Sequence, residues 1–239
     1  MVAGSGGPVG TVPGSAPGSG AVRIGVLDLQ GDVREHVAAL ADVGAGARLV
    51  KRPADLEGLD GLILPGGEST TLSLLLESTG LFEAIAERIG AGGGADADGG
   101  ARSGPFPVLG TCAGLVLVAR EILDGRPDQR TFAVMNAVVR RNGYGRQVKS
   151  FEGEVMLGTG EQRPLPAVFI RAPLVVSVGE EVEVLGTLDD VPVLVRQGPV
   201  LASVFHPELT PDRRVHKLFV QMCRDGSAAA TRPEPLIGA

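Results

Sequence analysis

The stretch VLGTCAGLVLV, Val108–Val118, sets Cys112 between Gly110 and Gly114 in an otherwise apolar run. Gly-x-Cys-x-Gly at a junction of strand and helix is the pattern of a nucleophile elbow, with sulfur in place of the usual hydroxyl. The chemistry needs those residue types. A sharp turn forces the nucleophile into a strained backbone conformation, so its flanks must lack bulk. The helix that follows turns its free N–H groups toward the sulfur and favours the thiolate. The N–H of Ala113 is then placed to donate to a developing oxyanion. The competing reading is a small buried residue that happens to carry sulfur.

A thiol nucleophile needs a base, and the chain has three histidines, His36, His206 and His216. His216 stands among Arg213, Arg214 and Lys217 and reads as solvated. His36 stands beside Arg34 and Glu35 and reads as a surface residue or a partner contact. His206 follows the apolar run LASVF and opens HPEL. In an extended segment His206 and Glu208 project to one side, so Glu208 can orient the imidazole while the other ring nitrogen faces the thiol. A strand-end histidine beside a surface carboxylate is the plainer alternative. A third element is LILPGGESTT. Glycines after an apolar strand allow unusual dihedrals and close approach to a ligand, and the N–H of Gly67 is placed to be a second oxyanion donor. Ser69 or Thr70 would otherwise cap a helix. A phosphate loop is disfavoured, because the lysine and the spacing of that motif are missing.

The elements that must position these residues alternate. VRIGVLDL is apolar and β-branched, DVREHVAALADVG has helical spacing, and ARLVKR and LDGLILPGG are strands. STTLSLLLESTGLFEAIAERIG reads as one helix, FPVLGT as a strand, AGLVLVAREIL as a helix and DRRVHKLFVQMCRD as a closing helix. The later half is richer in strands. This order predicts an α/β fold, a mostly parallel central sheet with helices on both faces and antiparallel strand extensions.

Composition bounds the rest. The chain has 239 residues, 44% of them hydrophobic but only 3% aromatic, so its core must be aliphatic. The net charge of −6 gives no basic footprint for nucleic acid. No apolar stretch suits a membrane span. The two cysteines, Cys112 and Cys223, make neither a disulfide framework nor a metal motif. These features predict a soluble protein of a reducing compartment. Residues 1–20 hold seven Gly, three Pro and three Ser with no charged side chain, and read as a disordered extension without the basic start and apolar run of a secretory signal. Residues 90–104 read as a Gly-rich loop insertion, and 226–239 as a flexible tail. A single domain is expected over 21–225.

Taken in order, PGGEST, GTCAG and FHPE resemble class I glutamine amidotransferases, the triad glutaminases. More narrowly, GVLDLQGDVREH, LDGLILPGGESTT, GTCAGL, RRNGYGRQVKSFE, VFIRAP and SVFHPELT resemble the glutaminase subunit of pyridoxal 5′-phosphate synthase, from about Arg23 to Val220. The resemblance implies a flavodoxin-like glutaminase domain that hydrolyses L-glutamine through a glutamyl thioester. Cys112 would be the nucleophile, His206 the base and Glu208 its orienter, with Gly67 and Ala113 as oxyanion donors. Glutamine contacts would fall on Gly67, Glu68, Ser69, Arg141, Ile170 and Arg171. A bound amino acid needs an anion for its ammonium and cationic or backbone donors for its carboxylate, which suits Glu68 and the arginines. Surface salt bridging is the alternative for Arg141 and Arg171. The resemblance further implies no cofactor or metal, a cytoplasmic setting, and ammonia delivery to a synthase subunit in a hetero-oligomer. Departures from the pattern are Asp28, Asp32 and Gly143-Tyr144. Since Gln30–His36 looks partner-facing in the family, Asp32 is expected to bear on docking and not on chemistry. Another triad amidotransferase, serving histidine, purine or cobyrinate-type synthesis, and a non-enzymatic module on the same fold are the competing classes. The Gln30–His36 segment and the Glu68–Thr71 run weigh against the first, and the presence of Cys, His and Glu against the second.

Overall fold

A computed structural model describes residues 22–90, 106–143, 150–158 and 163–230. The expectations for 1–20, for 91–104 and for Tyr144–Gln147 lie outside these residues. The first half runs β1 (Arg23–Leu27), α1 (Val33–Asp42), β2 (Gly46–Val50), β3 (Gly61–Leu64), α2 (Ser69–Ser78), α3 (Leu81–Gly90), β4 (Val108–Thr111) and α4 (Ala113–Val118). It continues with β5 (Ala119–Ile122), β6 (Met135–Arg140), β7 (Ser150–Leu157), β8 (Leu165–Ile170), β9 (Leu174–Val178), β10 (Glu183–Leu188), β11 (Val191–Gln197), β12 (Val200–Ser203) and α5 (Arg214–Ala230).

Nine strands form one sheet in the order β2-β1-β3-β4-β12-β11-β10-β7-β8. The first five are parallel and the rest antiparallel. Every residue of β3, β4 and β12 is buried, which is why these segments read as unbroken apolar runs and not as alternating ones. Strands β5, β6 and β9 form a separate small sheet. The core is aliphatic as composition requires, with Phe169, Phe205 and Phe219 among its few aromatics.

The parallel order 2-1-3-4-12 is that of a doubly wound sheet, which binds ligands beyond the carboxyl ends of its strands. Those ends carry Gln30–Asp32 after β1, Pro65–Glu68 after β3, Cys112 after β4 and His206 after β12. The four antiparallel steps from β12 to β8 restore the original strand sense, so Ile170 and Arg171 emerge on the same side.

Three expected elements differ. The helix expected over 69–90 is two, because Gly80 takes a left-handed φ of +72° and ends α2. The helix expected over 113–123 stops at Val118, and Ala119–Ile122 pairs with β6 instead. That run is apolar throughout its first half and carries no period to mark the change. Helix α5 extends to Ala230, past Asp225.

Candidate active site

Cys112 sits where β4 ends and α4 begins, at φ 50° and ψ −103°, a region that non-glycine residues rarely occupy. Its N–H donates to Ser203 O at 2.8 Å, and its carbonyl accepts from Leu115 and Val116. The elbow is so tight that a Cβ on Gly114 would lie 2.0 Å from the carbonyl oxygen of Leu64, and one on Gly110 would lie 2.6 Å from Gly114 backbone. Both flanking glycines are therefore required by close packing of backbone on backbone. The sulfur points toward Ile170 O at 3.8 Å.

His206 is 3% exposed, Glu208 4%. Pro207–Leu209 is a short 3-10 turn and not the extended segment expected; proline opens such a turn readily because its missing N–H would be unpaired there. The turn still brings Glu208 Oε1 to 2.8 Å from His206 Nδ1. A second carboxylate shares that nitrogen: Asp32 Oδ2 lies 3.1 Å from it. Asp32 occupies the N-cap of α1 but makes no side-chain cap; its carboxylate is turned to the imidazole instead. With Nδ1 so occupied, Nε2, buried and without a hydrogen bond of its own, is left for the thiol. Burial works to lower the His206 pKa, but contacts with Asp32, Cys112 and Glu208 outweigh it and raise it to about 12. Burial pushes the Glu208 carboxyl up, against the pull of His206. Asp32, held mainly by its hydrogen bond to His206, is lowered. Donor atoms of Asp32, His206 and Glu208 lie within 4.8 Å of one another, a spacing a metal could use. However, Nδ1 faces two carboxylates at hydrogen-bond distance, so it carries a proton and is not free to ligate.

Cys112, Ala113, Gly67, Glu68, Ser69, Arg141, Ile170, Arg171 and His206 all line one cleft of about 400 Å³, with Glu208 behind it. Gly67 has φ +150°, accessible to glycine alone at little cost. The helix cap expected from Ser69 or Thr70 is Glu68, which accepts from Thr71 Oγ1 and N–H, each at 2.7 Å, and from the Thr70 N–H at 3.2 Å. Burial would raise this carboxyl, but those bonds bring it down to about 2. Ionised Glu68 thus faces the cleft, and Arg141 Nη2 lies 3.5 Å from it. Gln129, not singled out from the sequence, ties the wall together by accepting from Arg141 Nη1 at 3.1 Å and donating to Ser69 Oγ at 3.2 Å. The cleft therefore presents a strained thiol, an imidazole whose Nε2 has no other partner, the Glu68 anion and the Arg141 guanidinium, with Arg171 also in its lining, the set that a zwitterion with a reactive carbonyl requires.

Residues 26–225 match the model of the SNO glutamine amidotransferase family. The chain belongs to that family. It is 53% identical over 203 residues to pyridoxal 5′-phosphate synthase subunit PdxT of Mycobacteroides abscessus, covering 85% of this chain and 98% of that protein. It is also 53% identical over 206 residues to the PdxT of Salinispora arenicola, covering 84% and 96%. A crystal structure of a glutamine amidotransferase superposes with TM-score 0.74 at 45% identity over 84% of this chain and 98% of that one. A glutamine amidotransferase from Thermotoga maritima shares the fold at TM-score 0.53 and 13% identity, over 89% of this chain and 94% of that one. Among the described residues no helix is long and apolar enough to cross a membrane.

Two histidines contradict their sequence reading. His36 and His216 are neither solvated nor at a docking surface; both are 0% exposed. Asp32, expected to matter only for docking, touches His206. Asp28, by contrast, makes a surface pair with Lys51 at 3.1 Å.

Proposed function

We propose that this chain hydrolyses L-glutamine to L-glutamate and ammonia and delivers the ammonia to the synthase subunit of pyridoxal 5′-phosphate synthase. The observation that carries the proposal is the strained Cys112 beside the otherwise unpartnered Nε2 of a carboxylate-held His206, in a cleft walled by ionised Glu68 and by Arg141 and Arg171. The Cys112 sulfur, its proton passed to His206 Nε2, attacks the side-chain amide carbon. The carbonyl electrons move onto oxygen, where the N–H groups of Gly67 and Ala113 receive the charge. The oxyanion collapses, the C–N bond breaks, and His206 gives its proton to the departing nitrogen. Water then adds to the thioester with His206 as base; glutamate leaves and the thiol is restored. The α-ammonium pairs with Glu68, while Arg141 and Arg171 receive the α-carboxylate. Names of the relatives, subunits of pyridoxal 5′-phosphate synthase, support the partner.

Hydrolysis without an acceptor wastes ammonia, so control by the partner is expected. Pro65-Gly66-Gly67 can present the Gly67 N–H to the oxyanion or turn it away, and losing one such donor costs about 10²–10³ in rate. Steady-state glutamate release should therefore be slow for the isolated chain and rise with added synthase subunit until saturated. A rate already maximal without partner, and flat through the titration, rules out this control; absence of glutamate release at every partner concentration rules out the activity.

Gly66 offers a second check. A Cβ there would meet His206 Cε1 at 2.3 Å. Gly66→Ala must therefore displace the buried imidazole, and kcat should fall by about 10²-fold, the cost of a displacement on the order of 1 Å. Circular dichroism should report an intact fold, and wild-type turnover in a folded variant would contradict the assignment of His206.

A further inference from the structure

Resting on the glutaminase reading, we infer that His36 is a positioning residue of the site: it presents an Nε2–H to the outer oxygen of Glu208, and His216 behind it fixes the tautomer that makes this possible. All three histidines of the chain lie in one buried line with Glu208. Its inner oxygen, Oε1, holds His206 at 2.8 Å. Its outer oxygen, Oε2, is buried without a hydrogen bond and lies 3.5 Å from His36 Nε2. His36 Nε2 is also 3.2 Å from Oγ1 of Thr111, the residue before the nucleophile. On the far side His36 Nδ1 is 3.1 Å from His216 Nε2. The two rings come from different helices, α1 and α5, so their meeting is a product of the tertiary fold.

Hydrogen-bond logic selects one arrangement. If His36 carries its proton on Nε2, that N–H faces Glu208 Oε2 and Thr111 Oγ1, and Nδ1 accepts from His216 Nε2–H. What remains unpaired is the His216 Nδ1 lone pair. If the proton sits on His36 Nδ1 instead, a lone pair faces the buried Glu208 oxygen. His216 must then accept at Nε2 and carry its proton on Nδ1, which has no partner. A buried orphan N–H is rarer and costlier than an under-used acceptor. Both ends of the line thus favour Nε2–H on His36. Burial, then the neighbouring His216 and His206, keeps the His36 pKa well below its ordinary value; burial likewise, aided by Arg213, lowers His216 to about 4. Both rings are neutral near pH 7, so the line orients Glu208 without adding a competing charge. A neutral donor at its back opposes the rise that burial gives the Glu208 carboxyl and keeps its inner oxygen on His206.

The test has a readout independent of turnover. Nitrogen-15 NMR of the imidazoles in the wild-type chain should show His36 protonated at Nε2 and His216 at Nε2. Protonation of His36 at Nδ1 overturns the inference whatever the activity. With saturating synthase subunit, His36→Leu should lower kcat for glutamine by about tenfold, the scale of losing a group that orients another, with KM unchanged. His36→Gln, whose amide N–H reaches about as far as Nε2, should recover most of it. A folded His36→Leu with wild-type kcat, or a folded His36→Gln no better than His36→Leu, overturns the role. If His36→Leu fails to fold, the tautomer and His36→Gln decide. Failure of the underlying glutaminase reading would show separately, as no difference between wild type and Cys112→Ala.

Discussion

Cys112→Ala should lose glutamate release by on the order of 10⁴-fold or more, the scale at which removal of a nucleophile leaves only binding and oxyanion stabilisation, while Cys223→Ala should remain close to wild type. The two thiols occupy opposite environments. Cys112 lines the cleft at the end of β4, held at φ 50°. Cys223 lies in α5, fully buried, so close to β3 that a Cβ on Gly61 would be 2.5 Å from its sulfur. Burial raises the Cys223 thiol far above its ordinary pKa, which leaves it without thiolate to react. Alanine has the same backbone restriction as cysteine at φ 50°, so the elbow should survive the substitution and the loss will report chemistry and not folding. Treatment of wild type with a glutamine-like electrophile, followed by peptide mass mapping, should place the label on Cys112 alone. Label found only on Cys223 would sink the assignment.

The parts of this site legible in the sequence are those whose signal is contiguous. Gly110–Gly114, Pro65–Ser69 and His206–Glu208 each combine a strand end, a turn and a chemically capable side chain within five residues, and a doubly wound sheet gathers such strand ends at one edge. What is not legible at that range depends on helical neighbours. Arg34 and Glu35 give His36 the look of a surface residue, yet its neighbours on the helix face are Val33 and Leu40, both buried. Arg213, Arg214 and Lys217 do the same for His216, yet it lies on the face of Phe219 and Val220 that packs inward. Three- and four-residue spacing places both histidines in the core. Asp32 is obscured for a different reason. Its segment carries a docking expectation, although its position after β1, beside the strand that delivers Pro65–Glu68, already sets it at the cleft.

Asp32 also changes what the base and its orienter should do when separated. His206→Asn should abolish thioester formation, again by on the order of 10⁴-fold or more, because the imidazole that Cys112 contacts is lost. Glu208→Gln should cost less. The imidazole remains, and Asp32 still accepts from Nδ1 at 3.1 Å. Asp32→Asn should likewise be partial, since Glu208 holds the same nitrogen at 2.8 Å. The double variant should fall below the product of the two single effects, as expected when each group covers for the other. The sign of the pH effect follows from the same contacts. His206 is raised to about 12 against burial by Asp32, then Cys112, then Glu208. Removing either carboxylate lowers it, so the imidazolium proposed to protonate the departing nitrogen is lost at lower pH. The alkaline limb of the single-turnover rate should therefore move to lower pH in Asp32→Asn and in Glu208→Gln, and farther in the double variant. Single-turnover thioester formation across pH measures all of this. Equal rates for wild type and His206→Asn would refute the base. An alkaline limb unmoved in Asp32→Asn would show that Glu208 alone holds the imidazole, and that the carboxylate at the N-terminus of α1 stands beside His206 without acting on it.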